Sequence, residues 1–453
     1  MADVDLSREA ALKILYDINE RAAYSNIAIN KYLRQGRDFR EIDRIFVAGL
    51  VYGVIKWKLT IDQVICQFSN IPLKKLSPWI LNILRLGTYQ LLYTDRIPES
   101  AACNESVKLA LKYGHRASAN YVNAVLRNIA RRHSEIKYPD REKEPVEYLS
   151  FKYSHPSWMV KHWIDLFGED FTESLLEANN KNPDFTVRVN TLKTTRQEFM
   201  EKLDEKEIGY TVGRYIDNAL IVNDAAALMD SGLFAEGYFT VQDEASMMVS
   251  KVLDPAPGEL VMDVCAAPGG KSTHIAEMMG NEGMVVSWDI HVHKAELVEK
   301  AARRLSINIV KAELHDSSVV DANYIMKADR VLVDAPCTGT GIIRRKPEIK
   351  WNKTVKDKEE IRALQLRILS ASAEYVKPGG VLVYSTCSIE PDENIDVVNA
   401  FLKSSAMFRM VGFEELLPPA LFKESAGEGY IYLFPNVDNT DGFFIAKMKR
   451  KEG

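Results

Sequence analysis

Two cysteines stand where apolar runs give way to polar loops: Cys337 in DRVLVDAPCTGTG (residues 329–341) and Cys387 in YSTCSIEPDEN (residues 384–394). A thiol so placed is either a small core residue or a nucleophile. Each follows a short apolar stretch of the buried-strand type, so each is expected just past the carboxyl end of a strand. Consecutive strands of an open α/β sheet are usually neighbours, which would turn both thiols into one crevice. A third such stretch opens VMDVCAAPGGKSTHIAEMM (residues 261–279), where Cys265 precedes a glycine turn and a helix start. Gly269 and Gly270 let the backbone come close to a ligand, and the helix amino terminus favours negative groups.

The glycine turn admits two readings. Gly270, Lys271 and Ser272 fit the end of the phosphate-cradling pattern G-x-x-x-x-G-K-[ST], and VLVD (residues 331–334) imitates its magnesium-holding strand. Cys265 replaces the first glycine, however, and Pro268 stiffens a loop that must wrap phosphates. Asp289 ends the next strand about 20 residues on, where an acid suits a ribose diol. Asp316, in AELHDSS after the third strand, is placed to hold an adenine amino group. Ligand candidates at three strand ends fit a nucleoside cofactor such as S-adenosylmethionine, with a nucleotidase as the alternative.

A thiol beside a methyl donor has a specific use. Carbon 5 of a pyrimidine is a poor nucleophile until a thiolate adds to carbon 6. The hydrogen at carbon 5 must then leave, and the thiol with it. An acid at N3 of the ring would stabilise the adduct, and Asp334 is at the right strand end. Lys271, on the glycine turn, is either a site residue or a solvated helix-start lysine. His291 and His293 form an HxH with no third ligand nearby, so no metal is expected.

The elements that must position these residues fall into three stretches. Residues 5–133 carry apolar positions at helical spacing, for instance Phe46, Leu50, Val51 and Val54, and read as six or seven helices. HSEIKYPDREKEP (residues 133–145) reads as a linker. Helices around SHPSWMVKHWIDLFG, the strand FTVRVNTLK, the helix RQEFMEKLDEKEIG and the strands NALIV and GYFTVQ suggest a small α+β module. From about residue 255, ELVMDV, GMVVSWD, INIVKAE, DRVLVDA and GGVLVYS alternate with helices, and YIYLF and GFFIAKM close an antiparallel-looking pair. That is a doubly wound sheet, whose ligands sit beyond the strands' carboxyl ends.

Composition fits this reading. The 453 residues are 46% hydrophobic and 27% charged, ordinary for several globular domains. Five cysteines without a CxxC pair argue against a disulfide framework or a structural zinc site. No apolar run reaches membrane-spanning length, and MADVDLSREA lacks an export-signal pattern, so a cytoplasmic protein is expected. The net charge is −5, yet residues 1–137 hold 21 Lys and Arg against 13 Asp and Glu, a local excess of +8. A basic front on an acidic rear suits a chain that holds a polyanion with one domain.

Taken together, CAAPGGK, DAPCTGTG and STCS resemble the RNA cytosine-C5 methyltransferases of the NOL1/NOP2/Sun group. RVNTLK (residues 188–193), VQDEASM (residues 241–247) and DGFF (residues 441–444) are also similar to that group, and the helical front resembles the RNA-binding NusB fold. The resemblance implies three parts: an all-α NusB-like domain over 1–140, an RRM-like α+β module with linker helices over 141–250, and a Rossmann-like methyltransferase domain over 251–453. It implies S-adenosylmethionine as cofactor, 16S ribosomal RNA as substrate, and a monomer acting without metal or membrane. Carried over residue by residue, Cys387 is the attacking thiol and Cys337 assists product release. Cys265, Ala266, Ala267, Pro268, Gly269, Gly270, Lys271, Asp289, Asp316 and Asp334 contact the cofactor. Arg188 and Asn190 are placed near the target base. Arg344, Arg345 and Lys346, in the basic stretch RRKPEIKW, are expected to hold RNA phosphates. A non-catalytic RNA-binding assembly factor is the competing class.

Overall fold

The computed structural model describes residues 4–21, 23, 25–35, 39–352 and 355–452. The chain forms two compact units, Met1–Lys181 with Lys346–Asn352, and Asn182–Arg345 with Lys353–Gly453.

Among its described residues, the first unit is helical throughout. Seven helices run from Leu6–Arg21 to Arg116–Arg132 and close over one core that includes Leu12, Ile14, Val51, Leu84 and Leu126. Local signals set the ends. Pro78–Tyr93, for example, starts with proline in its first turn and Ser77 Oγ accepting from Ile80 N at 3.4 Å. Pro145–Tyr153, Ser157–Phe167 and Glu169–Asn180 follow. The first of these begins at the last residue of the expected linker, and nine residues are too few to show a period. Thr60 Oγ1 donates to Phe151 O at 2.5 Å, one of the bonds that set these helices with the first unit. Lys346–Asn352 belongs here too: Lys350 Nζ donates to Lys56 O at 2.7 Å and Trp351 Nε1 to Ile55 O at 2.9 Å.

The second unit holds two sheets. The smaller is antiparallel, in the order β2-β3-β1-β4, from β1 (Phe185–Val189), β2 (Tyr210–Val212), β3 (Ala219–Val222) and β4 (Phe239–Val241). The helix Arg196–Glu205 opens on a capping box between Thr195 and Glu198 and buries Phe199 and Leu203.

The larger sheet comprises β5 (Leu260–Asp263), β6 (Met284–Asp289), β7 (Val310–Leu314), β8 (Ala328–Asp334), β9 (Val376–Thr386), β10 (Phe408–Met410), β11 (Tyr430–Leu433) and β12 (Phe443–Arg450). Its order is β10-β12-β9-β8-β5-β6-β7, with β11 on the free side of β12. β5 to β9 pair in parallel, and β12 runs antiparallel to β9. Every strand expected from the sequence forms. β2 and β10, three residues each, were not expected from the sequence. Buried Val261, Met262, Val286, Val331, Leu382 and Val383 explain the near-continuous apolar runs. From β5 the chain turns one way to β6 while β8 lies on the other side, so a switch point falls at the glycine turn.

Candidate active site

β8 and β9 are parallel neighbours, with Asp334 in register with Ser385. The loops leaving them carry the two thiols, and Cys337 Sγ lies 3.3 Å from Cys387 Sγ. Both are partly exposed. Asp334 sits beside them at the end of β8. Its Oδ1 accepts from Ser385 Oγ at 2.8 Å, and its Oδ2 pairs with Lys271 Nζ at 2.8 Å. The ammonium of Lys271 also lies 5.0 Å from the ring centre of Phe443, in the DGFF stretch. The Cys337 thiol is pushed well up by its hydrogen bond with Cys387, by burial and by nearby carboxylates. Two thiols in such contact share one proton before either can lose a second.

The turn after β5 closes the other side. Gly269 has φ +102°, a left-handed conformation, and a Cβ there would meet Val298 Cα at 3.0 Å. Asp263, at the end of β5, accepts from Ser272 Oγ at 2.6 Å, and burial raises its pKa to about 6. Its other oxygen, Oδ1, is buried without a partner. Asp289 ends β6 and accepts from His291 N at 3.0 Å, with the exposed Ile290 beside it. Asp316, past β7, is exposed; Ser318, through its hydroxyl and its backbone N–H, holds its pKa below the usual value. Cys265 and Ala266 lead into the turn, and Ala267 and Pro268 form its tip. Burial drives the Cys265 thiol well up, so it stays neutral. Acids at three strand ends and an orphaned acceptor fit the ammonium and the ribose hydroxyls of S-adenosylmethionine.

Of the five residues proposed for RNA, four are engaged within the protein. Arg188 has no accessible surface, and every N–H of its guanidinium is engaged. Two go to Glu277 at 2.9 Å each, and the rest to Gly270 O at 2.8 Å, Thr273 Oγ1 at 3.0 Å and Gln242 Oε1. Arg188 therefore braces the glycine turn and has no donor left for a base or phosphate. Asn190 is equally buried and bonds Gly237 O, Leu305 O and Leu192 N. Arg344 and Arg345 are paired within the protein instead. Both donate to Asp441, at 2.9 and 2.6 Å, and Arg345 also reaches Asp243 at 2.8 Å. Paired this way, they join VQDEASM and DGFF to the loop after Cys337. Gly341 and Gly442 sit back to back at that joint, where a Cβ on Gly341 would fall 2.1 Å from Gly442 O. Lys346 alone of the three stays exposed.

Ser385, Asp263 and Glu393 were missed. An aspartate inside the apolar run LVMD was a signal for Asp263, and Glu393 stood in the quoted YSTCSIEPDEN without an assigned task. Among the described residues, no group of metal-ligating side chains forms, and no helix is long and apolar enough to cross a membrane.

The comparisons agree part by part. Residues 250–449 match the model of the 16S rRNA methyltransferase RsmB/F family, residues 5–131 the NusB family, and residues 155–229 an RsmF/B-like ferredoxin-like domain. A probable ribosomal RNA small subunit methyltransferase B of Bacillus subtilis (strain 168) is 37% identical over 98% of each chain. The chain belongs to that methyltransferase family. The crystal structure of PH0851 superposes with a TM-score of 0.82 at 29% identity over 99% of each chain. NSun6 from Pyrococcus horikoshii with SFG shares the fold, with a TM-score of 0.57 at 21% identity over 66% of this chain and 99% of its own. The protein is therefore an S-adenosylmethionine-dependent methyltransferase of ribosomal RNA, built from a NusB-like domain, a ferredoxin-like module and an α/β catalytic domain. The nucleotidase reading of the glycine turn falls.

Proposed function

We propose that the enzyme methylates carbon 5 of one cytosine in 16S ribosomal RNA through a transient Cys387–cytosine bond. The sulfur pair at 3.3 Å, beside the Lys271–Asp334 pair, carries this reading. S-adenosylmethionine, when bound, supplies an electrophilic methyl group. Cys265 to Lys271, Asp263, Asp289 and Asp316 would hold it, with Asp334 at the border between cofactor and base. The target base must leave any stack to reach the crevice, as base-modifying enzymes require.

Contact with Cys387, burial and nearby carboxylates all push the Cys337 thiol up, which favours Cys337 as the partner that keeps its proton while Cys387, the attacker by family resemblance, adds to the ring. The Cys387 thiolate adds to carbon 6, and the electron pair moves to carbon 5, which takes the methyl group. Asp334, positioned by Ser385 and Lys271, holds the N3 edge of the ring. Once Cys387 is bonded to carbon, its charge no longer opposes ionisation of Cys337. Cys337 can then give its proton to solvent water and, as thiolate, take the proton from carbon 5; the electron pair left behind re-forms the carbon 5–carbon 6 double bond and expels Cys387 as its thiolate. Labelled methyl transfer to unmodified 16S RNA, followed by mapping of 5-methylcytosine, tests the proposal. Label on a base nitrogen or a ribose would sink it.

A further inference from the structure

We propose that Glu393 is a positioning residue for this reaction: its buried carboxylate stitches the loop of Cys337 to the loop of Cys387 and so sets the distance between the sulfurs. The proposal rests on the two-cysteine reading above. Glu393 has no accessible surface. It accepts from Thr338 N at 2.8 Å, from Thr338 Oγ1, from Ser388 Oγ at 3.0 Å and from Gln365 Nε2 at 3.2 Å. Thr338 follows Cys337, and Ser388 follows Cys387. Gln365 also donates to Pro336 O at 2.9 Å, so the residues on both sides of Cys337 are tied to one hub. Across the seam, Gly341 N donates to Cys387 O at 3.0 Å, and Ser388 Oγ lies 3.1 Å from Thr340 Oγ1.

Among the described residues no cation hydrogen-bonds Glu393; burial raises its pKa, and the hydrogen bonds from Thr338 and Ser388 pull it back towards the charged form. An ion buried without a counter-ion is costly, and donors that bond its charged form are what retain it. The requirement is specific. A carboxylate is acceptor-only, which suits four converging donors, whereas a glutamine would turn an NH2 towards them. Aspartate is one carbon too short to span both loops. The negative charge of Glu393 also acts on Cys337, where it helps keep the proton on the thiol.

The test uses the full-length protein with E393Q and, because a buried charge is being changed, S388A as a second variant that removes one donor and keeps the charge. Dibromobimane bridges two thiols only when they lie within a few ångströms, and mass spectrometry identifies the bridged peptides. Wild-type protein is expected to bridge Cys337 to Cys387. E393Q is expected to bridge them about 10-fold more slowly and to lose about 100-fold in kcat with KM for S-adenosylmethionine unchanged, the scale of a misplacement of about 1 Å. S388A should fall between the two. Wild-type bridging and kcat in folded E393Q overturn the proposal; if E393Q does not fold, wild-type bridging in S388A does so. The cysteine reading fails separately, if C387S still methylates RNA.

Discussion

At the end of β5 the glycine turn is braced by a buried cation, Arg188, while at the ends of β8 and β9 the cysteine loops are braced by a buried anion, Glu393. The cation comes with its counter-ion: Glu277 meets Arg188 with both oxygens, so the bracket is close to neutral. Among the described residues, the donors to the anion are all neutral. The first arrangement suits a surface that must keep its shape around a charged ligand without adding charge. The second leaves a negative field beside two thiols and so bears on which of them holds the proton. One end of the crevice is organised for rigidity, and the other for rigidity together with proton control.

Removing the thiol at the anionic end should have the largest effect. C387S is expected to lose turnover by at least about 1,000-fold, as losing a nucleophile generally does, with an unchanged melting temperature. C337A should instead accumulate a protein–RNA adduct on denaturing gels. An adduct in C387S but not in C337A would reverse the two roles. At the cationic end the loss should appear in stability. R188A leaves Glu277 buried and unpaired, at about 3–5 kcal/mol in urea unfolding. A change below 1 kcal/mol would mean that the bracket does not hold the turn.

Asp263 sharpens the comparison through pH. Its folded pKa of about 6 lies above the ordinary aspartate value of 3.8 because burial disfavours the charge. Its contribution to stability is therefore complete below about pH 4 and is lost as pH rises through about 6. D263N removes this dependence, so its stability relative to wild type should improve by about 2 kcal/mol between pH 4 and pH 8. A pH-independent difference would contradict the raised pKa. The smallest effect is expected at Arg345. R345A removes a cation already paired within the protein, so the slope of log affinity for RNA against log salt should not change. K346A should flatten it by up to about one unit. A slope flattened in R345A as much as in K346A would restore Arg345 to the RNA surface.

Much of the fold was legible because its signals are local. Helical spacing in residues 5–133 and apolar runs ending in glycine, cysteine or aspartate are set by neighbours in the chain. So is the order of the strand-end motifs, which put Cys265, Cys337 and Cys387 at the carboxyl ends where they lie. The partners of the arginines were not legible, for the opposite reason. Nothing around RVNTLK or RRKPEIKW distinguishes a cation facing solvent from one facing a buried carboxylate. Arg188 meets Glu277 89 residues away, and Arg345 meets Asp441 96 residues away. Glu393 was passed over because an acid in a proline-containing loop reads as solvated until Thr338, 55 residues earlier, is seen to point at it.

The sequence by itself determined which atoms are available for chemistry and on which strand ends they stand, because periodicity and turn residues act over a few positions. Tertiary structure alone decided which charges neutralise one another and which face a ligand. A charge is identical in the chain whatever it will meet, and only folding brings partners separated by tens of residues within 3 Å of each other.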